Sequence, residues 1–274
     1  MDCVGKMARR FVNIFKRFML PYAYAEKQIS ARIMRTNANL YLPNFLGIGA
    51  QKASTSWLYE NLRCHPELYL PESKELHYFD WNFFQSLRFY SAEFEPGCHK
   101  VKGEITPGYS TLSLGRIRLI RALMPDVRLI FLMRNPIDRA FSQALMNLVN
   151  LPNREFKEVD ESEFYSHFTA KRSVKRGNYL TILDNWLSVF PHAQLYVGSF
   201  EDIANCPQKL LGEVFAHIGV SQEVDWSSFP YRRVINKNPG ISAPQVQRFF
   251  TRDVLPGHRK FIRAFWGSSC HVAL

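Results

Sequence analysis

From Tyr41 onward, short apolar runs of strand length alternate with longer stretches in which apolar residues recur at helical spacing. Residues 45–49 precede 54–63, 101–105 precede 112–124, 127–133 precede 137–148, and 194–197 precede 207–217. Near-continuous apolar strands separated by helices read as βαβ units, which build a parallel sheet covered on both faces. Residues 151–175 are charged and lack a clear apolar period, so they read as a surface excursion of the same domain, without a second hydrophobic core. No internal repeat or low-complexity tract breaks the pattern.

Residues 1–40 differ from the rest. They hold eight Lys and Arg against Asp2 and Glu26, with Phe11, Ile14, Phe15 and Phe18 at helical spacing between the charges. Such a basic amphipathic segment can rest on an anionic membrane surface or pack as a helix against its own domain. Its longest charge-free run, residues 18–25, would span about 12 Å as a helix against a bilayer core of about 30 Å. Neither a transmembrane anchor nor a cleavable signal peptide fits, and one domain is expected over residues 41–274.

Composition narrows the class. With 274 residues, 46% hydrophobic and 22% charged, the chain can bury one large core or two small ones, which excludes disorder, collagen and coiled coil. Thirty-five Lys and Arg against 24 Asp and Glu leave a formal charge of +11, which favours an anionic ligand, substrate or surface. No nucleic-acid partner is expected, because the charge comes without a recognition helix, an RNA-binding sheet motif or a zinc finger. The five cysteines are scattered and show no CxxC spacing. They therefore suggest neither disulfides nor a metal site, but a reducing, cytoplasmic setting, peripheral to a membrane if residues 1–40 bind one.

The most informative stretch is residues 45–59, Phe-Leu-Gly-Ile-Gly-Ala-Gln-Lys-Ala-Ser-Thr-Ser-Trp-Leu-Tyr. A short apolar strand runs into small and hydroxylated residues and then into a helix. Gly49, Ala50, Ala53 and Ser54 let the backbone approach an anion, and the helix N-terminus offers free N–H groups and a positive dipole end. Lys52, Thr55 and Ser56 add a cation and hydroxyl donors. A Walker A loop needs Gly-Lys-Ser/Thr after a longer glycine loop, whereas this Lys precedes the small residues, so ATP or GTP hydrolysis loses ground. Read alone, the same residues also describe an ordinary capped helix.

A second signal lies in residues 127–142, Val-Arg-Leu-Ile-Phe-Leu-Met-Arg-Asn-Pro-Ile-Asp-Arg-Ala-Phe-Ser. A buried strand delivers Arg134 to its C-terminal end, Asn135-Pro136 turns the chain, and a helix carries Ser142. Arg134 and Ser142 can then hold a second phosphate; alternatively, Arg134 pairs with a carboxylate and Ser142 merely sits on its helix.

Together these stretches resemble the sulfotransferases that use 3'-phosphoadenosine 5'-phosphosulfate (PAPS). Residues 52–56, Lys-Ala-Ser-Thr-Ser, are similar to the family's 5'-phosphosulfate loop, and Arg134 with Ser142 to its 3'-phosphate motif. Residues 74–80, Lys-Glu-Leu-His-Tyr-Phe-Asp, and 103–109, Gly-Glu-Ile-Thr-Pro-Gly-Tyr, resemble segments of heparan-sulfate-type and bacterial carbohydrate sulfotransferases. Residues 175–179, Lys-Arg-Gly-Asn-Tyr, before an Ile-Leu-x-x-Trp helix, have a family counterpart as well. Two positions depart from the pattern: Ser54 where glycine is usual, and Ile105 where the glycosaminoglycan enzymes carry a lysine.

The resemblance implies an α/β fold: a single domain with a central parallel sheet flanked by helices, P-loop-like, moving a sulfuryl group from PAPS to a hydroxyl or amine. PAP, adenosine 3',5'-bisphosphate, would be the product, and no metal is required. Lys52 would stabilise the bridging oxygen, with Ala53, Ser54, Thr55, Ser56 and Trp57 around the 5'-phosphate and Arg134 and Ser142 on the 3'-phosphate. Arg176, Gly177 and Tyr179 would complete that end, and Lys237 and Gly240 would belong to a late covering loop. Glu75 would be the general base and His77 its neighbour, both on one side if residues 74–80 are extended.

Tyr78, Trp81 and Tyr109 would form part of an acceptor wall, the acceptor being a glycan or glycolipid. His99 is a further candidate base, since relatives that act on phenols and steroids use a histidine, but its local motif does not match theirs. Two other readings stay open. A nucleotide or small-molecule kinase would share the strand-loop-helix geometry but hold Mg2+ through a carboxylate ending a later strand. A basic nucleotide- or polyanion-binding protein would keep the fold without turnover.

Overall fold

Five parallel strands form one sheet in the order β2-β3-β1-β4-β5. They are β1 (Phe45–Gly49), β2 (Leu68–Tyr69), β3 (Val101–Ile105), β4 (Arg128–Met133) and β5 (Leu195–Ser199). The computed structural model of the chain describes residues 40–150 and 153–235. Within them the α-helices are α1 (Thr55–Arg63), α2 (Leu87–Ala92), α3 (Leu114–Leu123), α4 (Pro136–Leu145), α5 (Glu161–Thr169), α6 (Lys171–Gly177), α7 (Tyr179–Leu187), α8 (Phe200–Asn205) and α9 (Pro207–Ile218). The basic segment expected over residues 1–40 lies outside the described residues except for Leu40. No helix among the described residues is long and apolar enough to cross a membrane.

Each strand read from the apolar runs is present, and its sequence explains its place. β1 is buried along its whole length because it lies between β3 and β4. Helix starts follow local chemistry. Ser113 accepts from the Arg116 N–H to open α3, Asn135 accepts from the Ile137 N–H with Pro136 at the first helical position of α4, and Asp160 forms a capping box with Glu163 to open α5. α9 ends at Gly219, whose φ of 79° is a left-handed conformation that glycine adopts freely. The two-residue strand β2 has no counterpart in the sequence pattern, since a run that short has no period to read.

The main core packs Phe45, Leu46, Phe131, Trp186 and Phe215, among others, between the sheet and its helices, each contributing about 1.5–3 kcal/mol by leaving water. One expectation needs correction. Residues 151–175 are not a coreless excursion: Phe164 and Phe168 of α5 and Val159 pack against Ala140, Phe141 and Leu145 of α4 as a second, smaller buried cluster. A helix that hides only two large residues in nine shows too weak a period to be seen in the sequence.

Strand order also decides where a ligand can enter. The chain leaves β1 toward β2 and β3 on one side, then crosses back to β4 and β5 on the other. The connections that follow the neighbouring strands β1 and β4 therefore leave in opposite directions, opening a crevice between them. Close packing keeps this centre tight: a Cβ at Gly103 of β3 would land on the buried Phe45 ring. Gly103→Ala is expected to cost about 1–3 kcal/mol through overpacking, read from urea unfolding.

Candidate active site

The loop after β1 and the turn after β4 meet because their strands are hydrogen-bonded neighbours, with Phe45 opposite Arg128 and Gly49 opposite Phe131. Beyond the last pair, the Ala50 N–H donates to the Leu132 carbonyl at 2.8 Å. One step further, Arg134 Nη1 donates to the Lys52 carbonyl at 3.1 Å. A cavity of about 180 Å³ lies between them, its lining including Lys52, Thr55, Ser56, Glu75, Arg134 and Ser142.

Its electrostatics are those of an anion site. Burial first, and the Arg134 guanidinium second, lower the Lys52 amine, while Glu75 opposes them. Burial also lowers Arg134, whose Nε has no hydrogen-bond partner among the described residues. Ser54 makes no side-chain cap at the start of α1, so the first-turn N–H groups face the loop without one. Lys52 and Ser54 both take left-handed backbone, with φ of 71° and 59°. At Ser54 this explains why glycine is the usual residue in the resembling loop, since glycine adopts such a φ without steric cost.

Residues 74–80 correct a second expectation: they are not extended. Glu75 and His77 have φ of 66° and 54°, so the segment is a turn. The two side chains nevertheless meet, with His77 Nε2 3.2 Å from Glu75 Oε2 and Lys74 Nζ 2.9 Å from Glu75 Oε1. On its other nitrogen, His77 Nδ1 is 2.9 Å from Asp80 Oδ2. Burial works to raise the Glu75 carboxyl, but hydrogen bonds from His77 and Lys74 outweigh it and hold the group at about 2. Burial likewise works to lower His77, and its bonds to Asp80 and Glu75 overcome this and raise it to about 9. The imidazole is therefore a cation clamped between two carboxylates at neutral pH.

Other residues singled out from the sequence fall into distinct places. Ala53 and Trp57 are buried under the loop, and Trp57 donates Nε1–H to the Tyr231 carbonyl at 2.9 Å. Trp57 also borders a larger cleft of about 780 Å³, with Phe200, Ile203, Tyr231 and Arg232 in its wall. Tyr179 donates its hydroxyl to the Arg134 carbonyl at 2.9 Å and supports that residue from behind, while Gly177 is buried at the end of α6. Arg176 bonds Gln51 of the loop and feels the Glu75 and Asp80 carboxylates, so it faces the turn of residues 75–80; it is not part of the Arg134 cavity lining.

Two members of the expected acceptor wall are core residues. Tyr78 is 6% exposed and stacks on Tyr90, and Tyr109 is fully buried with its hydroxyl on Glu104; both lie behind the turn, where packing claims their rings. Trp81, by contrast, is 62% exposed and stacks on His77 with ring centres 3.8 Å apart. His99 is exposed before β3, at the opposite end of the sheet from Lys52. Ile105 is buried against Gly47 and presents no polar group. Lys237 and Gly240 lie outside the described residues. Among the described residues no group of three or more His, Cys, Asp and Glu could hold a metal ion. Asp80 and Glu104 went unassigned in the sequence, although both stand inside its motifs.

A cation-lined cavity at the C-terminal edge of a parallel sheet, with the Glu75 carboxylate in its lining and His77 against that carboxylate, suits group transfer from an anionic donor. The chain belongs to the sulfotransferase family, whose sequence model matches residues 83–224, just over half of it. Sulfuryl transfer is its reaction. Human heparan sulfate glucosamine 3-O-sulfotransferase 6 is 28% identical over 244 residues, covering 82% of this chain and 71% of that protein. The crystal structure of a sulfotransferase from Alicyclobacillus acidocaldarius superposes with a TM-score of 0.57 at 28% identity, over 67% of this chain and 83% of that one. A mouse sulfotransferase complexed with PAP shares the fold, with a TM-score of 0.52 at 16% identity over 83% and 85% of the two chains.

The clamp on His77 should be visible in stability. A histidine raised from 6.5 to about 9 contributes stability that is complete below pH 6.5 and lost as pH rises through about 9. A carboxyl lowered from 4.5 to about 2 contributes stability present above pH 4.5 and lost as pH falls toward about 2. The melting-temperature gap between the parent and His77→Gln is expected to be widest between pH 4.5 and 6.5 and to close by about pH 10. Thermal melts across that range check it, and a gap independent of pH would contradict a protonated imidazole.

Proposed function

We propose that the chain transfers the sulfuryl group of PAPS to a hydroxyl, or an amine, of a glycan-type acceptor. The observation that carries this reading is the meeting of Lys52 and Arg134 in the lining of one cavity, with Arg134 Nη1 donating to the Lys52 carbonyl at 3.1 Å. A nucleotide with phosphates at both ends suits two such cations better than a single anion does. In this reading the α1 N-terminus, Thr55 and Ser56 would hold the 5'-phosphate, and Arg134 and Ser142, which line the same cavity, the 3'-phosphate. The larger cleft beyond Trp57 has room for the nucleoside. When bound, the donor supplies an SO3 unit on a phosphate leaving group.

The protein's own part is charge and position. By analogy with phosphoryl transfer, a loose in-line transition state builds negative charge on the bridging oxygen as its bond to sulfur breaks. Lys52, with its carbonyl held by Arg134, is placed to meet that charge. Glu75 lines the same cavity and takes the acceptor proton. A carboxylate at about 2 is a weak base toward a free hydroxyl. In a loose transition state, however, the acceptor oxygen turns strongly acidic only late, as its bond to sulfur forms, and a weak base suffices then. His77 and Lys74 hold Glu75 in place for that moment.

On the acceptor side, the exposed face of Trp81 offers a stacking surface next to His77. The human relative's name gives a glucosamine of heparan sulfate as its acceptor, which favours a sugar here too. The buried Ile105 removes a cation that glycosaminoglycan enzymes carry, so contacts to the acceptor differ from theirs. Residues 1–40 would supply peripheral contact with an anionic membrane, and deleting them is expected to lower association with anionic liposomes.

Arg134→Ala is expected to weaken PAP binding about 10- to 100-fold by calorimetry, the loss of charge-assisted hydrogen bonds to a phosphate. Unchanged affinity would defeat the assignment. Glu75→Gln is expected to lower turnover about 10²- to 10⁴-fold while PAP affinity stays within about twofold. Transfer from labelled PAPS to a glycan panel, with a search for products heavier by one SO3 unit, reads both the activity and the acceptor.

A further inference from the structure

Behind the catalytic turn lies a carboxylate that the proposed chemistry does not use. Glu104, in β3, is 2% exposed. Its charge is met by three hydroxyls: Tyr90 and Tyr109 donate to Oε1 at 2.6 and 2.9 Å, and Thr106 donates to Oε2 at 2.7 Å. Burying a carboxylate is costly even when it is satisfied, and an apolar residue would fill such a core at less cost. The reason for its presence lies one bond further out. The Thr106 oxygen accepts the His77 backbone N–H at 3.4 Å, and the Tyr109 oxygen accepts the Phe79 backbone N–H at 3.3 Å.

We propose that Glu104 is a positioning residue for sulfuryl transfer, fixing the backbone of residues 75–80 through the hydroxyls of Thr106 and Tyr109. The inference rests on reading that turn as catalytic. An ionised carboxylate only accepts hydrogen bonds, so it draws both hydroxyl protons toward itself and leaves the oxygen lone pairs free for the two turn N–H groups. A neutral amide could not orient both in the same way. The turn needs outside restraint because Glu75 and His77 hold left-handed backbone, a conformation that persists only where its surroundings enforce it. Gly108 completes the support: a Cβ there would crowd Asp80 Oδ2 and lie 3.5 Å from the His77 ring, so the 107–111 turn abuts both groups. Burial raises the Glu104 carboxyl, Asp80 adds to the rise, and the three hydroxyls that donate to it offset this only in part.

Three nearly isosteric substitutions separate this role from plain core packing. Tyr90→Phe, Tyr109→Phe and Thr106→Val each remove one hydroxyl from the same carboxylate, but only Tyr109 and Thr106 bond to the turn. Each is expected to lower the melting temperature by about 2–8 °C. The second readout is the His77 titration, followed by NMR of the imidazole in the full chain without ligand. The charged groups around His77 are Glu75 and Asp80 on its own turn, Lys74 and Lys52 facing Glu75, and Arg176 of α6 facing both carboxylates. None of them is altered.

Thr106→Val and Tyr109→Phe are expected to move the His77 titration from about 9 toward 6.5 and to cut turnover about 10- to 100-fold, with PAP affinity within about twofold of the parent. Tyr90→Phe is expected to leave the titration and turnover in place. If all three variants shift the titration alike, or if none does, the proposal is overturned. The NMR readout needs neither donor nor acceptor, so a parent that fails to bind PAP would overturn the proposed function and leave this result standing.

Discussion

Arg134 reaches the Lys52 carbonyl because β1 and β4 are hydrogen-bonded neighbours in a parallel sheet, and both chains leave it at the same edge. Everything else in the site is arranged around that adjacency. Were another strand placed between them, the two cations would lie about 5 Å farther apart, the spacing of one strand, and would not share one cavity. The apolar content of β1 and β4 is thus more than core filling. It forces both strands to the centre of the sheet, where the order of the chain turns back on itself and a ligand crevice opens.

Charge is sorted across this crevice. In the cavity Lys52 and Arg134 are lowered mainly by burial, which outweighs the opposing pull of Glu75 on Lys52 and of Asp138 on Arg134. Around the turn the Glu75 and Asp80 carboxylates are balanced by His77 and Lys74, and Arg176 faces them from α6. The cationic half suits a phosphate-bearing donor, and the balanced half suits proton transfer at a hydroxyl. Lys52 borders both, being close enough to Glu75 to feel it.

The strands and the two phosphate-binding motifs were legible because each is a local feature. An apolar run of five or six residues, a Lys among small residues and an Arg before Asn-Pro are read within one window of sequence; the structure has both strands, and Lys52 and Arg134 line one cavity. The turn bearing Glu75 and His77 was legible in its residues but not in its shape. Nothing local tells an extended Glu-x-His from one in which both residues take positive φ, because the enforcing bonds come from Thr106 and Tyr109, some thirty residues on. Tyr78 and Tyr109 misled for a related reason: aromatic residues near a motif fit an acceptor wall and a core equally well, and burial alone separates the two.

By itself the sequence determined that the chain is an α/β domain with a Lys among small residues after its first strand and an Arg at the end of another, since these follow from local propensity, periodicity and side-chain charge. Tertiary structure alone decided that the two ends face one cavity, that α5 closes a second small core, and that a buried carboxylate stands behind the turn bearing Glu75 and His77. The physical reason is that these are relations between segments far apart in the chain, set by strand order and by which polar groups are left to satisfy one another once the core has excluded water.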